Sequence, residues 1–225
     1  MKLKRLVQAA TLVATAVLLS GATRANWDAE VVATDLGHRI GNPDAKVKVV
    51  EFLSYTCPHC AEFAREGEAP IKLGYLAPGK ISVEVRHLVR DPVDLTVGLL
   101  VNCGDTAKFA GNHTAFLNGQ ERWIGPLSSG TRAQRQRWTA PGATGRRAIA
   151  TDFGFYPIME RRGYRRTDVD RCLADDSMAT RLAEISAKEW KRPGIGGTPS
   201  FAINGVVMPG THTWPALERQ LKEFL

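Results

Sequence analysis

The fold of this chain is decided by the stretch Val47-Lys48-Val49-Val50-Glu51-Phe52-Leu53-Ser54-Tyr55-Thr56-Cys57-Pro58-His59-Cys60. Its opening residues, 47–53, are apolar on both faces, which predicts a buried central strand. A helix beginning at Cys57 would place Cys60 on the same face, one turn on and close enough for a disulfide. Free N–H groups at the start of this helix would lower the pKa of the Cys57 thiol, and a protonated His59 would add positive charge. Strand, dithiol and helix together predict a redox site.

Turn and periodicity signals extend the pattern in both directions. The predicted strands are 31–32, 47–53, 81–88, 200–203 and 206–208, with a turn signal at 41–44 and a hairpin turn at Asn204-Gly205. The predicted helices are 57 to about 76 with a kink or break at Gly67 and Pro70, 95–103 capped by Asp91, a helix starting near Thr167-Asp168, 177–190, and 214–225 with Leu217, Leu221 and Phe224 on one side. Residues 125–146 give no clear prediction.

The N-terminus has the layout of a secretory signal peptide. Basic residues from Lys2 precede a largely apolar stretch, Leu6 to Leu19, and small residues follow it. The apolar stretch has about 14 residues, fewer than the roughly 20 needed to span a bilayer, so cleavage after Ala22 or Ala25 is expected. Removing residues 1–25 takes away four basic and no acidic residues, which lowers the formal net charge from +7 to about +3.

Composition and cysteine usage narrow the class of protein. With 225 residues, 44% of them hydrophobic and 24% charged, the chain is neither disordered nor fibrous. Four cysteines in an exported protein indicate an oxidising compartment, where disulfides persist. A zinc site is disfavoured because Cys103 and Cys172 stand singly and no second CxxC or HxxxH pair is present. A purely structural disulfide between Cys57 and Cys60 is the other alternative to a redox pair.

Four motifs together resemble the DsbA-like thioredoxin-fold proteins of bacterial envelopes. They are Gly41-Asn42-Pro43-Asp44, Val50-Glu51-Phe52, Cys57-Pro58-His59-Cys60 and, about 140 residues later, Gly197-Thr198-Pro199-Ser200-Phe201. The resemblance implies an α/β thioredoxin fold with a mainly helical domain inserted between its βαβ and ββα halves. The expected division is a signal peptide at 1–25, a thioredoxin-like domain at 26–91 and 193–225, and a helical insertion at 92–192.

The resemblance also implies roles for residues around the dithiol. Pro199 would be a cis-proline that faces the thiols, although an ordinary trans-proline at a strand start is the alternative. Thr198 would offer its backbone to an extended substrate chain. Pro58 and His59, between the cysteines, would belong to the redox motif.

The two thiols and a nearby acid would then have different tasks. Cys57 would be exposed and form the mixed disulfide with substrate, while Cys60 would be the buried partner that completes the exchange. Glu51 would lie buried beneath them, where a raised pKa lets it accept or relay the proton of Cys60. A carboxylate that points to solvent from a strand end is the alternative for Glu51.

The function implied is a periplasmic thiol-disulfide oxidoreductase that donates the Cys57–Cys60 disulfide to reduced or unfolded exported polypeptides. We expect no cofactor, no metal ion and no nucleic acid partner, a monomeric state, and reoxidation by a membrane quinone-linked protein of the DsbB type. The Pro-His pair resembles the oxidising members, whereas Thr198 before the cis-proline is found more among isomerases and reductases, so these activities stay open. A soft-metal protein holding Cu(I) through both thiols is an alternative of another class.

The remaining cysteines, Cys103 and Cys172, both fall in the expected insertion. We predict a structural disulfide between them, which would close a loop of about 70 residues and restrict the unfolded chain. Some DsbA-like proteins carry such a bridge and others do not, so the resemblance permits it without requiring it. Two separate buried thiols are the alternative.

Overall fold

A mixed six-stranded sheet lies at the centre of the part of the chain that the computed structural model describes, residues 26–225. The predicted signal peptide at 1–25 lies outside the described residues. The strands are β1 Val31–Ala33, β2 His38–Gly41, β3 Val47–Leu53, β4 Ile81–His87, β5 Ser200–Ile203 and β6 Val206–Val207. Their order across the sheet is β1-β2-β4-β3-β5-β6, in which β3 and β4 are parallel and the other neighbours antiparallel.

Strand β3 is central, as its apolar sequence predicted. It pairs with β4 on one side and with β5 on the other. Because side chains alternate between the faces of a strand, Glu51 lies on the same face as Val49 and Leu53, which belong to the main core. Phe52 points the other way, into a smaller apolar cluster. The carboxyl of Glu51 is therefore directed into the protein from the middle of the sheet.

The helix after the dithiol changes geometry at Pro70. Helix α1 spans Pro58–Pro70 and continues as a π-helical segment, Ile71–Leu76. Proline has no N–H and cannot make the helical bond to a preceding carbonyl, so the regular pattern ends there. Gly67, in contrast, does not break the helix. It allows close packing on Trp214, since a Cβ at Gly67 would lie 3.2 Å from Trp214 Cε3.

A run of helices lies between β4 and β5, where the helical insertion was expected. The helices are α2 Pro92–Val101, α3 Phe109–Leu117, α4 Gln120–Trp123, α5 Pro126–Ser129, α6 Arg132–Trp138, α7 Gly142–Asp152, α8 Phe155–Arg161, α9 Arg166–Leu173 and α10 Asp176–Glu189. The segment 125–146 thus contains short helices, and the domain boundaries at 92 and 192 stay predictions. Within residues 26–225, no helix is long and apolar enough to cross a membrane.

Of the two helix starts predicted from capping residues, the one at Asp91 is confirmed and the one near Thr167 is shifted along the chain. Asp91 Oδ1 accepts a hydrogen bond from the N–H three residues on, at 2.9 Å, and caps α2. Helix α9 starts earlier than predicted, at Arg166. Asp168 lies inside its first turn and accepts a hydrogen bond from the N–H of Arg165 at 3.3 Å, so it stabilises the helix start from within.

The chain ends in the predicted hairpin and helix. Asn204 and Gly205 have φ values of 49° and 86°, the left-handed conformation that a type I′ turn requires. Helix α11, Trp214–Phe224, buries Leu217 and Leu221, whereas Phe224 on its last turn is 43% exposed.

The predicted disulfide between Cys103 and Cys172 is confirmed, with a Cα–Cα distance of 5.6 Å. It joins the segment that follows α2 to helix α9. These two helices also pack on each other, and Val169 and Leu173 of α9 are buried in the main core. The bridge spans 69 residues of sequence, so it restricts a large part of the unfolded insertion.

Replacing Cys103 and Cys172 by alanine should lower the free energy of unfolding by about 2–4 kcal/mol, because the unfolded chain regains the freedom that the bridge removes. Urea denaturation of this variant and the parent protein measures the difference. As a control, a Cys57→Ser/Cys60→Ser protein, unfolded without reductant, should take up no thiol label. Two labelled sites in that protein would contradict the bridge.

Candidate functional site

The two thiols of the site lie where β3 gives way to α1. Cys57 occupies the N-cap position of α1, with extended backbone angles, and Pro58 is the first helical residue, where its missing N–H costs no bond. Both cysteines are free thiols, with Cys57 3% exposed and Cys60 fully buried. The expectation of an exposed Cys57 is wrong. The segment before β5 covers it, and Cys57 Sγ lies 3.1 Å from the carbonyl oxygen of Thr198, to which it donates a hydrogen bond when the thiol is protonated.

The pKa values of the two thiols are shifted in opposite directions. A hydrogen bond from the Cys60 thiol lowers the pKa of Cys57 to about 5 against the opposing effect of burial, with further help from the Thr198 side chain and from the backbone N–H groups of Cys60 and His59. Burial, followed by the interaction with Cys57, raises the pKa of Cys60 well above its usual range. One thiol of the pair is therefore a thiolate at neutral pH while its neighbour keeps the proton.

His59 acts on Cys57 through its backbone, which differs from the sequence-based expectation of a charged ring beside the thiolate. The His59 side chain is 78% exposed, and its Nδ1 lies 3.5 Å from a carboxylate oxygen of Glu62, one turn along α1. Its N–H is one of the free donors at the start of the helix that lower the pKa of Cys57. The predicted stabilisation by the helix start is thus present, with the ring turned towards Glu62.

The peptide bond between Thr198 and Pro199 is cis, as the resemblance implied. His212, from the segment before α11, has its Nδ1 2.7 Å from the carbonyl oxygen of Pro199 and holds this segment from behind. A groove with a volume of about 640 Å³ runs beside it, between the first turns of α1 and the glycine-rich residues 194–197. The groove is lined by His59, Glu62, Thr198 and His212, among others.

Glu51 is buried, as expected, and the alternative of a solvent-facing carboxylate does not apply. Its residue is only 7% exposed, and burial, followed by the charge of Glu68, raises the pKa of the carboxyl to about 8. Its charge in turn contributes to the raised pKa of Cys60. A cavity of about 340 Å³ between the sheet and the insertion is lined by Glu51, Phe63, Glu68 and Thr114, among others. A neutral, proton-bearing carboxyl therefore lies close to the buried thiol.

Three residues of the site were missed by sequence analysis: Asp94, Gln120 and His212. Asp94 and Gln120 bind the segment before Cys57, and His212 binds the carbonyl of Pro199. Each of them binds largely to backbone atoms. Because every residue type supplies these atoms, the sequence at the bound position does not reveal the contact. Within residues 26–225, no group of three or more His, Cys, Asp or Glu side chains is placed to hold a metal ion.

The comparisons with known proteins agree with this geometry. The family model described as thioredoxin matches residues 33–223. The chain belongs to the thioredoxin family. Among solved structures of this family, it is similar to the crystal structure of a protein-disulfide isomerase from Novosphingobium aromaticivorans, with 46% identity, a TM-score of 0.81, and coverage of 85% of this chain and 98% of that one.

More distant relatives show the DsbA-like form of the thioredoxin fold. The crystal structure of α-DsbA1 from Wolbachia pipientis has 20% identity and a TM-score of 0.63 and covers 83% of this chain and 89% of that one.

A Rickettsia bellii protein with the provisional name of protein-disulfide oxidoreductase is 30% identical over 168 residues, which are 74% of this chain and 56% of the relative. This thioredoxin-family chain thus spans little more than half the length of the curated relatives it matches.

Replacing Glu51 by glutamine should stabilise the protein increasingly as the pH rises from 5 to 8. The folded-state pKa of about 8 exceeds the ordinary value of 4.5, so the folded protein holds an extra proton in this range and loses stability as the pH rises. Glutamine removes this cost, which reaches on the order of 4 kcal/mol at pH 8. Urea denaturation of variant and parent in the same redox state measures it.

Glu66→Gln, at an exposed position of α1, is the matched control and should show no gain that grows with pH. An equal gain from Glu51→Gln at pH 5 and pH 8 would show that the carboxyl is already ionised at pH 5 in the folded protein.

Proposed function

We propose that this protein is a thiol-disulfide oxidoreductase of the periplasm, which donates the disulfide of Cys57 and Cys60 to reduced exported polypeptides. The observation that carries the proposal is the placement of Cys57 Sγ at the start of α1, 3.1 Å from the carbonyl of Thr198, which itself lines a groove together with His59. The names of the Rickettsia and Novosphingobium relatives, which refer to protein disulfides, support it. The signal-peptide layout of residues 1–25 supports export.

The reaction starts from the oxidised form, in which Cys57 and Cys60 share a disulfide. A substrate thiolate attacks Cys57 Sγ, forms a mixed disulfide with it, and releases the Cys60 sulfur, which takes a proton. A second substrate thiol, after losing its proton, attacks the substrate sulfur of the mixed disulfide and releases Cys57 as a thiolate. Two electrons pass from substrate to protein, so the substrate gains a disulfide and the protein becomes the dithiol.

The surroundings of each sulfur suit its step. Cys57 leaves readily, because its pKa of about 5 makes it a stable thiolate at neutral pH, and a stable leaving thiolate makes the disulfide a strong oxidant. Cys60, whose pKa is raised, holds a proton in the dithiol form. Glu51, protonated below pH about 8, would supply that proton and recover one through the cavity that it lines.

The segment that carries the cis-proline would hold the substrate. The carbonyl of Thr198 lies 3.1 Å from Cys57 Sγ and accepts its hydrogen bond when the thiol is protonated. A substrate chain lying extended in the groove would pair with the backbone of Thr198 in the manner of an added strand. The cysteine of the substrate would then face Cys57 Sγ, the sulfur that it attacks.

A second candidate is disulfide isomerisation, favoured by the similarity to the Novosphingobium protein at 46% identity. An isomerase uses the same attack by the Cys57 thiolate, but on a substrate disulfide, and needs the dithiol as its resting form. An oxidase instead needs a partner that restores its disulfide after each reaction. We propose that this partner is a membrane quinone-linked protein of the DsbB type. The equilibrium between dithiol and disulfide distinguishes the two activities.

The potential of the Cys57–Cys60 couple, titrated against glutathione, should lie well above that of thioredoxin, roughly −270 mV, and towards the roughly −120 mV of strong oxidants. The physical reason is the stabilised Cys57 thiolate, which favours the reduced form. The Cys103→Ala/Cys172→Ala variant, which keeps the pair, provides a control for the second disulfide. A potential near that of thioredoxin would overturn the oxidase proposal.

Replacing Cys60 by alanine should trap a mixed disulfide between Cys57 and a substrate with a single cysteine, because Cys60 can no longer reverse the exchange and no second substrate thiol is present to complete it. Incubating this variant, activated as a mixed disulfide with glutathione, with a reduced unfolded protein that carries one cysteine should give a covalent adduct visible on a non-reducing gel. Cys57→Ala, treated in the same way, should give none. Adducts formed equally by both variants would argue against Cys57 as the attacked sulfur.

A further inference from the structure

The segment that leads into the dithiol is held by the helical insertion instead of by the sheet. This segment, Ser54 to Cys57, is called the Cys57 loop here. Three of its four residues make a hydrogen bond to a side chain of the insertion, and the fourth, Thr56, bonds to Asp91 directly before the insertion. We propose that Gln120 and Asp94 are positioning residues that set the place of the Cys57 sulfur and thereby the oxidising strength of the pair. This inference rests on the proposed thiol-disulfide exchange.

Gln120 binds the backbone at the cysteine itself. Its side-chain amide donates to the carbonyl of Tyr55 at 2.7 Å and to the carbonyl of Cys57 at 2.9 Å, and the residue is 2% exposed. The carbonyl of Cys57 also accepts the N–H of Ala61 at 3.3 Å, the first bond of α1. One amide group therefore fixes the point where the loop becomes a helix.

Asp94 holds the other end of the Cys57 loop. The residue is fully buried, and its carboxylate accepts hydrogen bonds from the Ser54 hydroxyl at 2.6 Å and from the N–H of Tyr55 at 2.8 Å. The same carboxylate accepts the N–H of Arg90 at 3.0 Å and lies 2.7 Å from Nε2 of His87. Asp94, in the first turn of α2, thus joins the Cys57 loop to the segment that follows β4.

Two further contacts complete the attachment. The Thr56 hydroxyl donates to Asp91 at 2.7 Å, so the capping residue of α2 also binds the loop. The Tyr55 hydroxyl lies 3.1 Å from Nδ1 of His113, on α3. Backbone and side-chain groups of the loop are therefore satisfied by the insertion from several sides, and the loop has little freedom to move relative to it.

This attachment matters for the chemistry because the Cys57 sulfur is stabilised by donors on α1 while its main chain belongs to the loop. The N–H groups of His59 and Cys60 act on the sulfur only if the Cys57 backbone is held at the correct angle to the helix start. The amide of Gln120, bonded to the carbonyl of Cys57, restrains that angle. Without the Gln120 amide, the Cys57 sulfur can turn away from the N–H donors. The thiolate is then less stable, and the disulfide is a weaker oxidant.

Replacing Gln120 by methionine tests the proposal, because methionine has a similar length but cannot donate. Two readings are made on the variant and the parent: the pH profile of Cys57 alkylation, which reports the pKa of the thiol, and the dithiol–disulfide equilibrium with glutathione. We expect the pKa of Cys57 to rise by about one unit and the equilibrium constant to shift about tenfold towards the disulfide form of the protein.

Asn112→Leu is the matched control. Asn112 is a buried amide of the same insertion, but it binds the Val101 carbonyl and the Tyr164 hydroxyl and leaves the Cys57 loop untouched. It should lower stability without moving the pKa of Cys57 or the equilibrium. Gln120→Asn, which withdraws the amide by one methylene, and Asp94→Asn, which removes the charge but keeps one oxygen acceptor, give further variants if methionine prevents folding.

The proposal is overturned if the Gln120 and Asp94 variants fold and lose stability while the pKa of Cys57 and the glutathione equilibrium match the parent, since they would then be structural residues only. An equal shift in Asn112→Leu would also overturn it. Failure of the proposed function would give a different result. The parent protein itself would then have the potential of a reductant or show no thiol-disulfide exchange, regardless of how the equilibrium constants of the variants compare with that of the parent.

Discussion

The hydrogen bond between the two thiols of Cys57 and Cys60 is the interaction on which the site depends. It requires one sulfur to be the donor and the other the acceptor, and the surroundings decide which is which. Cys57, at the free N–H groups of a helix start, is the better acceptor. Cys60, one turn deeper and fully buried, retains the proton because an anion there would be far from water. A single turn of helix thus creates the difference in acidity on which thiol exchange relies.

The sheet and the insertion contribute to this pair in different ways. The sheet places Glu51 below it and, through β5, brings Thr198 and its carbonyl to the front. The insertion supplies the side chains that bind the Cys57 loop from behind, and the bridge between Cys103 and Cys172 ties two of its helices together. Neither half alone surrounds the thiols. The site is therefore a property of the junction between them.

The sequence predicted what depends on local pattern. The apolar run 47–53 predicted the central strand, Asn204-Gly205 the hairpin, and Asp91 the start of α2, because each signal acts over a few residues. It missed β2, whose sequence His38–Gly41 has no alternation, and the π-helical geometry after Pro70.

The contacts of the site were less accessible from sequence because they join distant residues. Gln120 binds a backbone carbonyl 63 residues away, and any buried amide donor there could do the same, so no motif marks it. The burial of Cys57 was also missed, since it results from a loop 141 residues later folding over the sulfur. His59 was assigned a charge effect from its residue type, whereas its side chain is exposed and its Nδ1 lies 3.5 Å from a carboxylate oxygen of Glu62.

The pairing of β3 with β5 has a consequence for how the protein is made. Glu51 lies opposite Phe201, so the strand that carries the acid finds this neighbour only after 150 further residues have been added to the chain. Until then Cys57 lacks the Thr198 carbonyl that covers it, and one edge of β3 is unpaired. A growing chain therefore presents a more accessible thiol than the finished protein. Completing the sheet and covering the reactive sulfur are therefore a single event, because the Thr198 carbonyl lies just before β5.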